Sequence, residues 1–136
     1  MEMTVIRLGL DSSTNSFVVI LQEREGSRLL PIWIGRPEAE AIAAHLQGIK
    51  RERPLTHDLI KTLLLGLGAD VRRVAITRVE DRTYFAELQL AKGAELLAID
   101  ARPSDSIAIA LRCSAPIFAA EELLIMPGEE EDSEAP

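Results

Sequence analysis

A single cysteine, Cys113, stands among 136 residues. No intrachain disulfide can form, and a reducing, cytoplasmic setting is the expectation. Aromatic rings are scarce: Phe17, Trp33, Tyr84, Phe85 and Phe118 are the whole supply. That is too few for the row of stacked rings on which single-stranded nucleic acid is commonly laid. No apolar run approaches the roughly 20 residues that a membrane-spanning helix needs. Met1–Thr4 carry neither the basic nor the apolar stretch of a signal peptide. Strong short motifs are missing too: there is no HExxH, no pair of CxxC, no Walker loop and no GxGxxG. The net charge is −7, but Glu129, Glu130, Glu131, Asp132 and Glu134 lie near the C-terminus, and taking those five from −7 leaves −2 for the rest. A nearly neutral body does not make the strong positive field of a non-specific nucleic-acid binder, although it can hold a local basic patch. Residues 127–136 are expected to be a disordered acidic tail, and residues 1–126 one domain.

What is present is a regular order of short strands and alanine-rich helices. Residues 4–10, the apolar run 17–21 and residues 28–34 read as strands, the second buried on both faces. Pro31 confines the third to an edge or a bulge, because proline donates no ladder bond. Trp33 is expected to anchor its strand in the core. Arg36-Pro37 opens a helix that closes at Gln47-Gly48, with Ala39, Ile42, Ala43, Leu46 and Ile49 as its buried face. Lys50–Pro54 is a charged connection, and Thr56 is the expected N-cap of a second helix over 57–66. Residues 70–79, 83–90 and 95–101 are further strands, with Tyr84, Ala86, Leu88 and Leu90 on one face. Arg102-Pro103 opens a third helix to about Ser114, with a short strand at 116–119 and a closing turn over 121–126. Arg36-Pro37 and Arg102-Pro103 lie 66 residues apart, and each follows three strands. This reads as a weak internal duplication of a β-β-β-α unit with the 57–66 helix inserted between the copies. The expected fold class is α+β, with a mixed, mostly antiparallel sheet.

The polar residues concentrate at two Arg-Pro helix starts. Arg53-Pro54 delivers Thr56, His57 and Asp58; Arg102-Pro103 delivers Ser104 and Asp105, with Asp100 just before it. Carboxylates with an imidazole suit Mg²⁺ or Mn²⁺, and neighbouring arginines hold phosphate bidentately. Together they are the groups that phosphodiester hydrolysis uses. The same residues also read as structural. Thr56, Ser104 and Asp105 are ordinary helix caps, Asp58 compensates a helix dipole, and Arg102 forms an ion pair with Asp100 or Asp105. Cys113 reads as a small core residue, and His45 as structural or exposed.

The runs Leu30–Gly35, Glu38–Ile42, Arg53–Leu59 and Asp100–Ala108 resemble the signatures of the bifunctional nuclease domain family, over nearly all of residues 4–125. The resemblance implies an α+β protein that forms homo-oligomers, a dimer foremost, and that cleaves DNA and RNA with low sequence specificity. It points to Arg53, Thr56, His57, Asp58, Asp100, Arg102, Ser104 and Asp105 as the residues of interest. On that basis Asp58, Asp100 and Asp105 are the expected ligands of a divalent cation, with Glu38 in reserve, and His57 is the acid or base. Arg53 and Arg102 position phosphate, aided by Thr56 and Ser104. The alternatives are a non-catalytic oligomeric interaction or regulatory module, and a small-anion or nucleotide-binding domain at the same rim.

Overall fold

The computed structural model describes residues 1–11, 13–49 and 52–128. The expected tail beyond Gly128, Ser12 of the first turn, and Lys50 and Arg51 of the charged connection lie outside the described residues. In chain order the elements are β1 (Glu2–Asp11), β2 (Ser16–Glu23), β3 (Leu29–Ile34), α1 (Arg36–Leu46), α2 (Thr56–Gly66), β4 (Ala69–Glu80), β5 (Thr83–Lys92), β6 (Glu95–Ala101), α3 (Pro103–Cys113) and β7 (Ile117–Ala119). A 3₁₀ turn, Glu121–Leu123, follows. The class is α+β, as expected.

The seven strands form one sheet in the order β3-β2-β1-β7-β4-β5-β6. Every pairing is antiparallel except β4 with β7, where Val74 faces Ile117 and Ile76 faces Ala119. Two meanders, β1-β2-β3 and β4-β5-β6, therefore run outward from a short central strand. Each ends in a helix, α1 or α3, which is the layout that two β-β-β-α units produce. β3 is an edge strand, which removes the penalty for Pro31. Tight turns close the hairpins. In the first, the Asp11 carboxylate accepts hydrogen bonds from the Ser13 backbone N–H and hydroxyl.

One core joins the helices to the sheet. Val19, Leu21, Leu30, Val74, Ile76, Ala86 and Leu88 meet Ile42, Ile107, Ala108 and Ala110. Burial of each large aliphatic side chain stabilises by about 1.5–3 kcal/mol. The alternation expected for 84–90 holds, with Ala86, Leu88 and Leu90 buried. α3 is the central helix, buried on most sides and packed on α1, α2, β4 and β5. Its alanines and those of α1 let the two helices approach closely.

Several expectations are corrected. Leu46 and Ile49 are 46% and 48% exposed, because Ala39, Ala41, Ile42 and Ala44 form the buried face of α1 instead. Trp33 is 39% exposed on the edge strand rather than a core anchor. Thr56 is the first helical residue of α2, and its N-cap is Leu55. Neither Ser104 nor Asp105 caps α3; Arg102 holds the cap position and makes no side-chain cap bond.

Candidate active site

The three helices share a local design: each carries an acid three residues past its N-cap. These are Glu38 after Gly35, Asp58 after Leu55 and Asp105 after Arg102. A carboxylate there suits the positive end of the helix dipole. What differs is where each carboxylate is sent.

Asp105 is sent into a cleft of about 760 Å³ between α1, the start of α2, the end of β6 and the start of α3. His57 Nε2–H donates to Asp105 Oδ1 at 2.9 Å, and Arg102 Nε–H donates to Oδ2 at 2.9 Å. Partial burial works to raise the Asp105 carboxyl, but the bonds from Arg102 and His57 outweigh it and hold the group below the ordinary carboxylate range. The ionised carboxylate only accepts, so the proton of the neutral imidazole sits on Nε2 and Nδ1 keeps the lone pair. Arg102 also reaches Glu38, with Nη2 and Oε2 3.3 Å apart. The Asp105 bond and charge raise its guanidinium further. Glu38 folds back over Gly35, where any Cβ would collide with its carboxylate. Glu38, Arg102, Asp105 and His57 thus form one continuous polar chain linking the starts of all three helices. Thr56 borders the same cleft and is exposed.

Asp58 is sent elsewhere. Its Oδ2 accepts the Leu55 backbone N–H at 2.9 Å and its Oδ1 accepts Arg112 Nε–H at 2.6 Å. Burial opposes ionisation, but these two bonds hold the carboxyl low. Asp58 and Arg112 line a second cleft of about 510 Å³, together with His45 and Arg53. Arg53 is therefore separated from Arg102. His45 is exposed, as one of its two expected states. Ser104 is buried under α3, away from solvent. Asp100 borders the first cleft, yet its cross-strand neighbour is Glu87, while Ile99 faces Leu88 and Ala101 faces Ala86. Successive strand residues alternate between faces, so Asp100 belongs to the face of Glu87 and Gln89, opposite the helices.

Of the expected cation ligands, only Glu38 and Asp105 come together, through Arg102. Among the described residues no three His, Cys, Asp or Glu side chains converge as a metal-binding group. The carboxylates do not form a ready-made cage. Arg112 was not among the expected site residues. Its signal was available: it is the lone charge in the apolar run Ile107–Cys113. Cys113 is half-buried beside the core, and burial pushes its thiol up, as a structural residue requires.

The model of the bifunctional nuclease domain matches residues 19–131. The chain belongs to the bifunctional nuclease domain family. A Mycobacterium tuberculosis protein, named only as uncharacterized, is 41% identical over 138 residues, covering 98% of this chain and 82% of its own length. Bifunctional nuclease 1 of Oryza sativa subsp. japonica is 34% identical over 116 residues, 83% of this chain and 35% of its own. Bifunctional nuclease 1 of Arabidopsis thaliana is 32% identical over 110 residues, 79% of this chain and 34% of its own. The chain spans about a third of the plant relatives it matches. Within the family's domain, Glu38, Arg102, Asp105 and His57 form one connected polar chain, and among the described residues no helix is long and apolar enough to cross a membrane.

Proposed function

We propose that this bifunctional nuclease domain cleaves phosphodiester bonds of DNA and RNA, with little sequence preference, in the cleft that holds His57, Arg102 and Asp105. One observation carries the reading: a single ionised carboxylate accepts from an imidazole and a guanidinium at 2.9 Å each, at the edge of an open cleft. Asp105 orients the His57 ring, so that His57 can act as general base or acid. Arg102 is 65% exposed and can turn a nitrogen toward phosphate. These groups address phosphate and sugar rather than base edges, which favours low specificity. Mg²⁺ or Mn²⁺ is part of the proposal, with Glu38 and Asp105 nearest to hand and Asp100 at the border; the bound cation would neutralise phosphate charge. The names of the plant relatives support the substrate class.

The test is cleavage of fluorescent single- and double-stranded DNA and RNA with Mg²⁺, Mn²⁺ or EDTA. Wild type runs beside His57→Ala, Asp105→Asn and Asp100→Ala. Cleavage that disappears in the first two supports the site. Cleavage that persists in both refutes it, and Asp100→Ala reports whether the far face contributes.

A homo-oligomer, a dimer first, belongs to the same proposal. α2 has no fully buried residue, and Leu59, Leu63 and Leu67 form a stripe that is 48%, 54% and 64% exposed. β6 is an edge strand with Leu96, Leu97 and Ile99 exposed. A second copy would cover both. This surface also favours the second reading, a non-catalytic interaction module, which predicts a stable dimer with no cleavage under any of the conditions above.

A further inference from the structure

Arg112 is a buried cation, with 4% of its side chain exposed, and each of its three nitrogens is committed. Nε–H donates to Asp58 Oδ1 at 2.6 Å, Nη1 to the Ala108 carbonyl at 3.0 Å and Nη2 to the Ala41 carbonyl at 2.9 Å. One guanidinium thus bonds to α1, α2 and α3. The other oxygen of Asp58 holds the Leu55 N–H, so the clamp fixes both the entry to α2 and its first turn. No residue of α2 is fully buried, and its partly buried Ile60 and Leu64 pack on the core beyond that first turn. His57 is the neighbour of Asp58 in that turn. Swinging the turn by 1 Å would break the 2.9 Å bond to Asp105.

We infer that Arg112, acting through Asp58, is the positioning residue that aims the His57 imidazole at Asp105. This rests on reading His57 and Asp105 as the working pair, but its test needs no turnover. A guanidinium fits the task because its rigid plane holds donors on three separate nitrogens, each reaching a different acceptor, whereas the three donors of a lysine ammonium all radiate from one atom. The alanines at 41 and 108 leave those carbonyls within reach.

Long-range ¹H–¹⁵N spectra of the full chain report the tautomers of its two histidines, His45 and His57. Wild-type His57 should show a fixed Nε2–H tautomer. Arg112→Met, and equally Arg112→Lys, should convert it to an exchange-averaged pattern, with helical circular dichroism retained. A need for buried positive charge alone would be met by lysine, so restoration by Arg112→Lys would overturn the assignment. An unchanged His57 signal in folded Arg112→Met would overturn it too. If Arg112→Met does not fold, Asp58→Asn is read instead, and an unchanged His57 there has the same force. Where cleavage is measurable, kcat should fall by up to about 100-fold with KM little changed. Loss of the tautomer in a chain that cleaves nothing supports the clamp and counts only against the nuclease reading.

Discussion

His57 and Asp105 sit 48 positions apart in sequence and 2.9 Å apart in space, and the pair carries the sharpest prediction at this scale. His57→Ala should lower cleavage by about 10²–10⁴-fold, the usual worth of a positioned acid or base, and also lower the melting temperature, because the side chain is only 12% exposed and its bond to Asp105 is lost. Gly35→Ala should push the Glu38 carboxylate aside at little cost in stability, since what yields is the end of a flexible side chain, and so free Arg102 from Glu38; a crystal structure or Arg102 side-chain NMR would show it. Much of this site was legible. Arg-Pro before a short polar run marks a helix start, and both starts do deliver an acid. What the sequence left open was the direction of each acid. Asp58 and Asp105 occupy equivalent helical positions, and only the tertiary contact with Arg112 separates their roles. Asp100 was open to a closer reading, since Leu97 and Ile99 alternate with it and face the helices.

α2 is amphipathic in an unusual sense, with Ile60 and Leu64 packed partly against the core and Leu59, Leu63 and Leu67 left outward. Periodicity found its apolar stripe but not that the stripe is wider than the core it meets. A stripe too wide for one chain is what a second copy would use. Leu63→Glu should therefore halve the mass seen by light scattering and change the melting temperature of the resulting monomer little. An unchanged mass would remove α2 from the interface. The same blindness affected α1 and Trp33. Apolar letters at Leu46, Ile49 and Trp33 say that burial is favourable, not that a neighbour is present to provide it.

Across the whole molecule, acid should unfold the protein through a small set of carboxylates. Asp58, Asp105 and Glu23 are all held below their ordinary values. A depressed folded value means that ionisation favours the folded state. For the two aspartates that contribution is complete above pH 3.8 and is lost as pH falls through the lower folded values. Asp58→Asn/Asp105→Asn should thus be less stable at neutral pH, yet lose less on acidification below about pH 4. Urea titrations at stepped pH would show it, and parallel pH profiles for variant and wild type would contradict it.

At this scale the two-unit layout was visible in the spacing of the Arg-Pro pairs, because a meander followed by a helix is a local pattern. The place of β7 was not visible, since nothing in a three-residue strand says which edges it will join. That place sets the order in which the chain can assemble. Each meander can zip as soon as it is made, by contacts between neighbours. The strand that joins β1 to β4, however, follows all six others in the chain. Until Ile117–Ala119 emerge, the two half-sheets present unpaired inner edges to solvent and to each other. Chains ending before residue 117 would be two hairpin systems without a seam. In the complete protein the slowest hydrogen exchange should lie at the β1-β7-β4 junction, where neither half can open alone.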